Sequence, residues 1–324
     1  MSTVLALGYT WPDLTLEAEI LSAAGHTVLD GRKLAPADPL WRSAAGVLLG
    51  TAHKLGAAEI GAMPALRGIV RYGIGYDNVD VPAADADGVV VGIIRDYCIE
   101  EVAEHALASA LSLARGLQHW DRNVREGQWR KGEKPRLRKL SSLNFGIVGF
   151  GLIGRALADK ARGLFGQILI LDPYATPTAD DLARGDRFVD DLATMLRDAD
   201  ILSVHVPLTD GTRALIGAAE LAQMKPSASI VNVSRGGVVD EAALIEAVKA
   251  RRLFGAALDT FVTEPLDAGS PLAGEPNIIL SPHVAWLSEE AEIKLRVRAS
   301  EEIVKILGGT EPSTPVGTHH LSSR

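Results

Sequence analysis

Arg235, Glu264 and His283 are the side chains of this 324-residue chain whose types and placement could move a proton and steady an anion. His283 ends the run Ile278-Ile279-Leu280-Ser281-Pro282-His283, and imidazole is the side chain that titrates near neutral pH. Glu264 follows Thr260-Phe261-Val262-Thr263 and precedes Pro265; against His283 it would fix the ring tautomer and favour the imidazolium. Arg235 is followed by Gly236-Gly237, a cation on backbone that a ligand can approach, and a guanidinium binds a carboxylate through two parallel hydrogen bonds. Taken singly, each has a plainer reading. Arg235 serves as well in a salt bridge, Glu264 as an exposed loop acid and His283 as a strand-end histidine.

A second constellation holds phosphates. Gly149-Phe150-Gly151-Leu152-Ile153-Gly154 follows the apolar run Phe145–Val148 and opens the helical run Ala156–Leu164. In such a turn the first glycine permits the tight bend, the second admits a pyrophosphate and the third lets helix and strand pack closely. Free N–H groups at the helix start, those of Leu152 and Ile153, would bind the phosphates. Asp172 closes the next apolar run, Ile168–Leu171, eighteen residues after Gly154. Its carboxylate would accept from ribose hydroxyls and repel a 2′-phosphate, which favours NAD over NADP; alone, it reads equally as a surface acid. His205-Val206-Pro207 would line the cofactor crevice, or serve a structural role, and Val233 and Ser234 lie at another strand end.

The elements that must position these residues are visible as alternation. Val4–Leu7, Thr27–Leu29, Val47–Leu49, Ile69–Tyr72 and Val89–Ile93 are short apolar runs separated by helix-length segments, the pattern of parallel βαβ units. Glu100–Leu117 repeats apolar residues at three and four and predicts a long helix. Asp121–Lys139 is polar and basic and reads as a connection between domains. A second series follows: Phe145–Val148, Ile168–Leu171, Ile201–Val206, Ser229–Val233, Gly255–Leu258 and Ile278–Leu280. Ser288–Leu307 is amphipathic and would return to the first domain, and Thr310–Arg324 has little to bury and is expected to be loosely held. The fold class is therefore α/β with two doubly wound parallel-sheet domains, and ligands in such sheets bind outside the carboxyl ends of the strands.

Composition narrows the class. At 47% hydrophobic and 23% charged the chain is globular, and its length suits two cores. A net charge of −8 argues against a non-specific phosphate-backbone binder, so nucleic acid is not the expected partner. The single Cys98 permits no intrachain disulfide or cysteine-rich metal site and suits a reducing, cytoplasmic setting. No secretory signal pattern opens the sequence, and no apolar stretch is long enough to span a bilayer. The chemistry calls for no metal.

Together the motifs resemble the D-isomer-specific 2-hydroxyacid dehydrogenase family along nearly the whole chain. They are Tyr72-Gly73-Ile74-Gly75-Tyr76-Asp77-Asn78-Val79-Asp80, Val102-Ala103-Glu104-His105-Ala106, the glycine loop with Asp172, His205-Val206-Pro207-Leu208, Met224-Lys225-Pro226 through Asn232-Val233-Ser234-Arg235-Gly236-Gly237-Val238-Val239-Asp240, Ala257-Leu258-Asp259 with Glu264-Pro265-Leu266, and Ser281-Pro282-His283. The resemblance implies a Rossmann coenzyme domain, residues 101–288, inserted in a flavodoxin-like substrate domain made of residues 1–100 and 289–324. Arg235 would orient a small 2-oxo or 2-hydroxy acid, His283 would exchange its proton, and Glu264 would support His283. N–H groups of Gly73, Ile74 and Gly75 would hold the substrate carboxylate; Asp259 would face the nicotinamide carboxamide and Val102 would lie beneath its ring. A homodimer is implied, with the helix from Glu100 and the Trp120–Trp129 arm as contacts. Trp286-Leu287-Ser288, and Asp96 to Glu104, are similar to the branch of C-terminal binding proteins and phosphoglycerate dehydrogenases. There Trp286 would wall the substrate pocket or pack at the domain junction. An NAD(H)-sensing dimeric corepressor with little turnover and a phosphite- or formate-type dehydrogenase are the alternative readings.

Overall fold

The computed structural model describes residues 1–129, 131, 135 and 137–318. The chain divides into two compact units, one made of residues 1–98 with the chain from Ser288 onward, the other of residues 99–287. In the first, β1 (Thr3–Leu7), β2 (Thr27–Asp30), β3 (Ala44–Leu49), β4 (Gly68–Arg71) and β5 (Val90–Ile93) pair in parallel in the order 2-1-3-4-5, the flavodoxin-like order. Every residue of β3, β4 and β5 is buried, as expected for a sheet covered on both faces.

The second unit contributes β6 (Asn144–Val148), β7 (Gln167–Leu171), β8 (Arg187–Phe188), β9 (Ile201–Val204), β10 (Ser229–Asn232), β11 (Gly255–Leu258) and β12 (Ile278–Leu280). Their order is 12-11-10-9-6-7-8, the Rossmann arrangement, reversing direction between β6 and β9. Alternate residues of one strand sort into two cores: Leu169, Leu202, Ile230 and Ala256 on one face, Ile168, Ile201, Val231 and Ala257 on the other. The second core is roofed by helices Ile99–Arg115 and Leu152–Ala161, which contribute Ala103, Ala106, Ala110, Leu157, Ala158 and Ala161. Small residues there let the helices approach closely.

Three expectations need correction. The long helix stops at Arg115, because Gly116 is left-handed (φ +60°), and a second helix runs Leu117–Arg125. The described residues of the stretch from Asp121 to Lys139 fall within the second unit and do not join the two units. The tail is held as far as Thr318: β13 (Pro315–Val316) pairs antiparallel with β5, and Thr318 donates to Asp85. It buries little apolar surface but satisfies the open edge of a sheet; residues 319–324 lie outside the described residues.

Helix Glu289–Leu307, capped by Ser288 Oγ on Ala291 N–H at 2.9 Å, carries the interaction that closes the first unit. Arg296 donates to both oxygens of the fully buried Glu17, at 2.9 and 2.8 Å, and Tyr72 donates to the same carboxylate at 3.2 Å. Burial, then the Glu17 charge, hold the Tyr72 hydroxyl well above its ordinary pKa, so it remains a donor. Breaking one side of a buried pair leaves the other charge uncompensated. Glu17→Ala should therefore cost the first unit about 3 kcal/mol in a denaturant titration; a loss under about 1 kcal/mol, the value of an exposed pair, would contradict this placement.

Candidate active site

The turn after β6 is shaped by contacts only glycine allows. Gly149 has φ +95°, and a Cβ there would lie 2.8 Å from the His205 carbonyl carbon; a Cβ on Gly154 would lie 2.2 Å from Gly149 O. At Gly151 the same position meets nothing within 4 Å. Gly149 and Gly154 thus close the turn, and Gly151 leaves a clear approach to helix Leu152–Ala161, whose N-terminus has no side-chain cap. A phosphate fits that end, since uncapped N–H groups and the helix dipole favour an anion. Asp172 accepts from Phe150 N–H at 2.7 Å and Tyr174 N–H at 2.8 Å, tying the strand end of β7 to the loop. Arg155 stacks 4.3 Å over Phe150 and pairs with Asp181 at 3.4 Å.

Beyond β10 the backbone turns on one buried side chain. Asn232, 1% exposed, donates from Nδ2 to Arg235 O at 2.9 Å and accepts at Oδ1 from Ser234 N–H at 3.1 Å and Ser234 Oγ–H at 2.8 Å. The half-buried Arg235 is thus presented from a closed turn. Gly236 presses on the next strand's exit, where a Cβ would meet the Phe261 carbonyl carbon at 2.0 Å. The loop carrying Glu264 rests on it.

Beyond β11 and β12 the same device recurs with a carboxylate. Asp259, 2% exposed, accepts from Ser281 Oγ–H at 2.6 Å, Val284 N–H at 3.0 Å and Ala285 N–H at 2.9 Å. Its carbonyl accepts from His283 N–H at 2.8 Å. His283, left-handed at φ +56°, is also gripped by Trp286, whose Nε1–H donates to His283 O at 3.1 Å. From this turn His283 Nδ1 meets Glu264 Oε2 at 2.7 Å, and Glu264 Oε1 accepts from Phe261 N–H at 2.9 Å. Burial pushes the Glu264 carboxyl up, but the His283 ring, the Phe261 N–H and the charges of His283 and Arg235 outweigh it and hold its pKa below the usual value. With Nδ1 on a carboxylate, Nε2 is the ring nitrogen that could exchange a proton. His205 differs. Its Nε2 lies 2.7 Å from Ser203 Oγ, and desolvation pulls its pKa down to about 4, so it is neutral at pH 7.

Arg235, Glu264, His283 and Trp286, with the glycine loop, Asp172, His205, Val206, Pro207, Val233, Ser234, Asp259 and Val102, all fall in the second unit. Val102 is buried on helix Ile99–Arg115. Gly73, Ile74 and Gly75 belong to the first unit, where Gly73 (φ +127°) lies against Arg71 and Tyr97. Arg155 escaped the reading from sequence, and Asn232 and His105 entered it only inside motifs, with no role given to them. A polar residue closing the apolar run Ser229–Asn232 was the available signal for Asn232. Among the described residues no group of three or more His, Cys, Asp or Glu is placed to hold a metal ion.

A strand, a glycine turn and an uncapped helix N-terminus, in one unit with a hydrogen-bonded glutamate and histidine, define a dinucleotide-binding α/β protein. Residues 107–285 match the profile of the D-isomer specific 2-hydroxyacid dehydrogenase, NAD binding domain. Glyoxylate reductase of Thermococcus litoralis is 36% identical over 266 residues, 80% of this chain and 80% of that protein. D-3-phosphoglycerate dehydrogenase of Synechocystis sp. is 37% identical over 276 residues, 85% of this chain but 49% of that protein; the chain spans about half the length of the phosphoglycerate dehydrogenases it matches. The NADPH-dependent glyoxylate/hydroxypyruvate reductase of Sinorhizobium meliloti, solved with citrate, superposes with a TM-score of 0.84 over 98% of both chains at 30% identity. The chain belongs to the D-isomer specific 2-hydroxyacid dehydrogenase family.

Gly154→Ala must push the helix off the turn, and fluorescence titration with NADH should show at least about tenfold weaker binding; unchanged affinity would contradict the role of that contact. The depressed pKa of His205 sets a second outcome. Between its unfolded value near 6.5 and about 4, the unfolded chain takes up a proton that the folded chain refuses, so stability is lost as pH falls through that window. His205→Gln should lose less thermal stability between pH 7 and pH 5 than the wild type does.

Proposed function

We propose that this protein interconverts a small 2-oxo acid and its D-2-hydroxy acid with NAD as hydride carrier. The observation that supports it best is the 2.7 Å contact of Glu264 with His283, on strand ends whose neighbour carries Arg235. A bound nicotinamide dinucleotide supplies or accepts the hydride. In the reducing direction the His283 imidazolium gives its Nε2 proton to the oxygen that becomes the hydroxyl, and Glu264 stabilises the cation beforehand. Arg235 steadies the negative charge on that oxygen and orients the carboxylate. In the oxidising direction neutral His283 removes the hydroxyl proton. Formate has no such proton, so the pair favours hydroxyacid chemistry. We assign the substrate carboxylate to the N–H groups of Gly73, Ile74 and Gly75 on the strength of the resemblance.

Asp172 is a strand-end acid already fixed to the loop by two N–H groups. A 2′-phosphate would meet its charge, which supports NAD over NADP here, although the Sinorhizobium relative is NADPH-dependent. We infer a cytoplasmic homodimer. The single Cys98 is buried and asks for no oxidising compartment, and Leu117, Val124 and Trp129 leave apolar surface exposed on and after the helix Leu117–Arg125. No helix among the described residues is long and apolar enough to cross a membrane.

An NADH-oxidation assay over a panel of 2-oxo acids, with NADPH as control, tests the proposal. His283→Ala and Arg235→Ala should each lower kcat/KM by at least about a hundredfold. Asp172→Ala should act chiefly through NADH affinity. Full activity in the His283 or Arg235 variant would overturn the assignment.

A further inference from the structure

We propose that His105 is a positioning residue for His283, acting through Ser281 and Asp259. The inference rests on the reading of His283 as the proton carrier. His105 lies on helix Ile99–Arg115, and its Nε2 is 3.0 Å from Ser281 Oγ and 3.8 Å from Asp259 Oδ1. Counting protons fixes the direction of this chain. Asp259 receives N–H groups on both oxygens, from Val284 on Oδ1 and from Ala285 on Oδ2, and so acts as a carboxylate that can only accept. The single hydroxyl proton of Ser281 therefore goes to Asp259 Oδ1, across 2.6 Å. The contact between Ser281 and His105 must then be filled by an Nε2–H of His105, which donates to the serine oxygen.

The chain has a mechanical consequence. Val284 and Ala285 directly follow the left-handed His283, and their N–H groups bind the two oxygens of one carboxylate. Rotation of Asp259 about its side chain would release both. Ser281 opposes that rotation, and the His105 N–H holds the serine hydroxyl in the rotamer that does so. His105 is the outermost member, with a side chain 28% exposed against 1% for Asp259. Donation from Nε2 requires only that this nitrogen carry a proton, a condition met by the imidazolium and by one neutral tautomer. A glutamine places its amide Nε2–H in a similar position.

Two measurements on the full-length protein test this, one independent of turnover. In His105→Leu, amide hydrogen exchange at Val284 and Ala285 should accelerate about tenfold relative to the wild type, with exchange in β6 unchanged. The same variant should lose about tenfold in kcat with KM for NADH unchanged. His105→Gln should restore both, and His105→Leu should add nothing further in a Ser281→Ala background. Wild-type exchange at residues 284 and 285 in His105→Leu would overturn the inference, as would a His105→Gln variant as impaired as His105→Leu. A wild-type protein that reduced no 2-oxo acid would overturn the proposed activity instead, and the exchange rates would still decide the role of His105.

Discussion

The second unit is organised around a carboxylate that has been taken out of water. An ionised group stripped of solvent is costly unless its lone pairs are met by donors, and Asp259 meets that demand with a serine hydroxyl and two consecutive backbone N–H groups. The demand is what shapes the chain: residues 281–285 must curl around the carboxylate, and the curl places His283 in a left-handed conformation that an ordinary side chain adopts only under constraint. Turn, charge and ring orientation are thus a single arrangement. Its accuracy depends on the strand beneath, which holds Asp259 N–H against the carbonyl of Asn232.

Asn232 and Asp259 stand at corresponding ends of neighbouring parallel strands and do related work. The amide has both a donor and acceptors, and knots a turn from within; the carboxylate only accepts, and gathers a turn from the next strand. Because β10, β11 and β12 are locked in register between two apolar layers, these turns share one rigid base. Gly236 pressed against Phe261 adds a direct contact between the loops, so Arg235 and the Glu264–His283 pair are referenced to each other as well as to the sheet. Rigidity of this kind is what allows a site to be ready before its ligand arrives.

Much of the architecture was legible because it follows from periodicity and from glycine. Apolar runs such as Ile168–Leu171 have few alternatives to a buried strand, and the spacing of Gly149, Gly151 and Gly154 reads directly as turn, open face and close packing. The break at Gly116 was hidden by apolar periodicity that continues through Leu117. The strand Pro315–Val316 was hidden because its pairing partner lies more than two hundred residues away, while its composition is that of a loop. At the site, residue type and order brought Glu264 and His283 into view as a pair. What an acid accepts from is a matter of three-dimensional packing: nothing in Ala257-Leu258-Asp259 says that the carboxylate is saturated by the turn after Pro282. The engagement of Asp172 by Phe150 and Tyr174 was invisible for the same reason.

The junction between Glu17 and Arg296 carries a further implication, for the order in which the protein is made. A ribosome delivers residues 99–287 as one continuous stretch, so that unit has all its strands as soon as β12 has emerged. The first unit does not. Its N-terminal strands emerge first yet lack the helix that supplies the partner of Glu17, 279 residues downstream. The older part of the nascent chain therefore matures last, with an acid waiting at its centre for a guanidinium still to be synthesised.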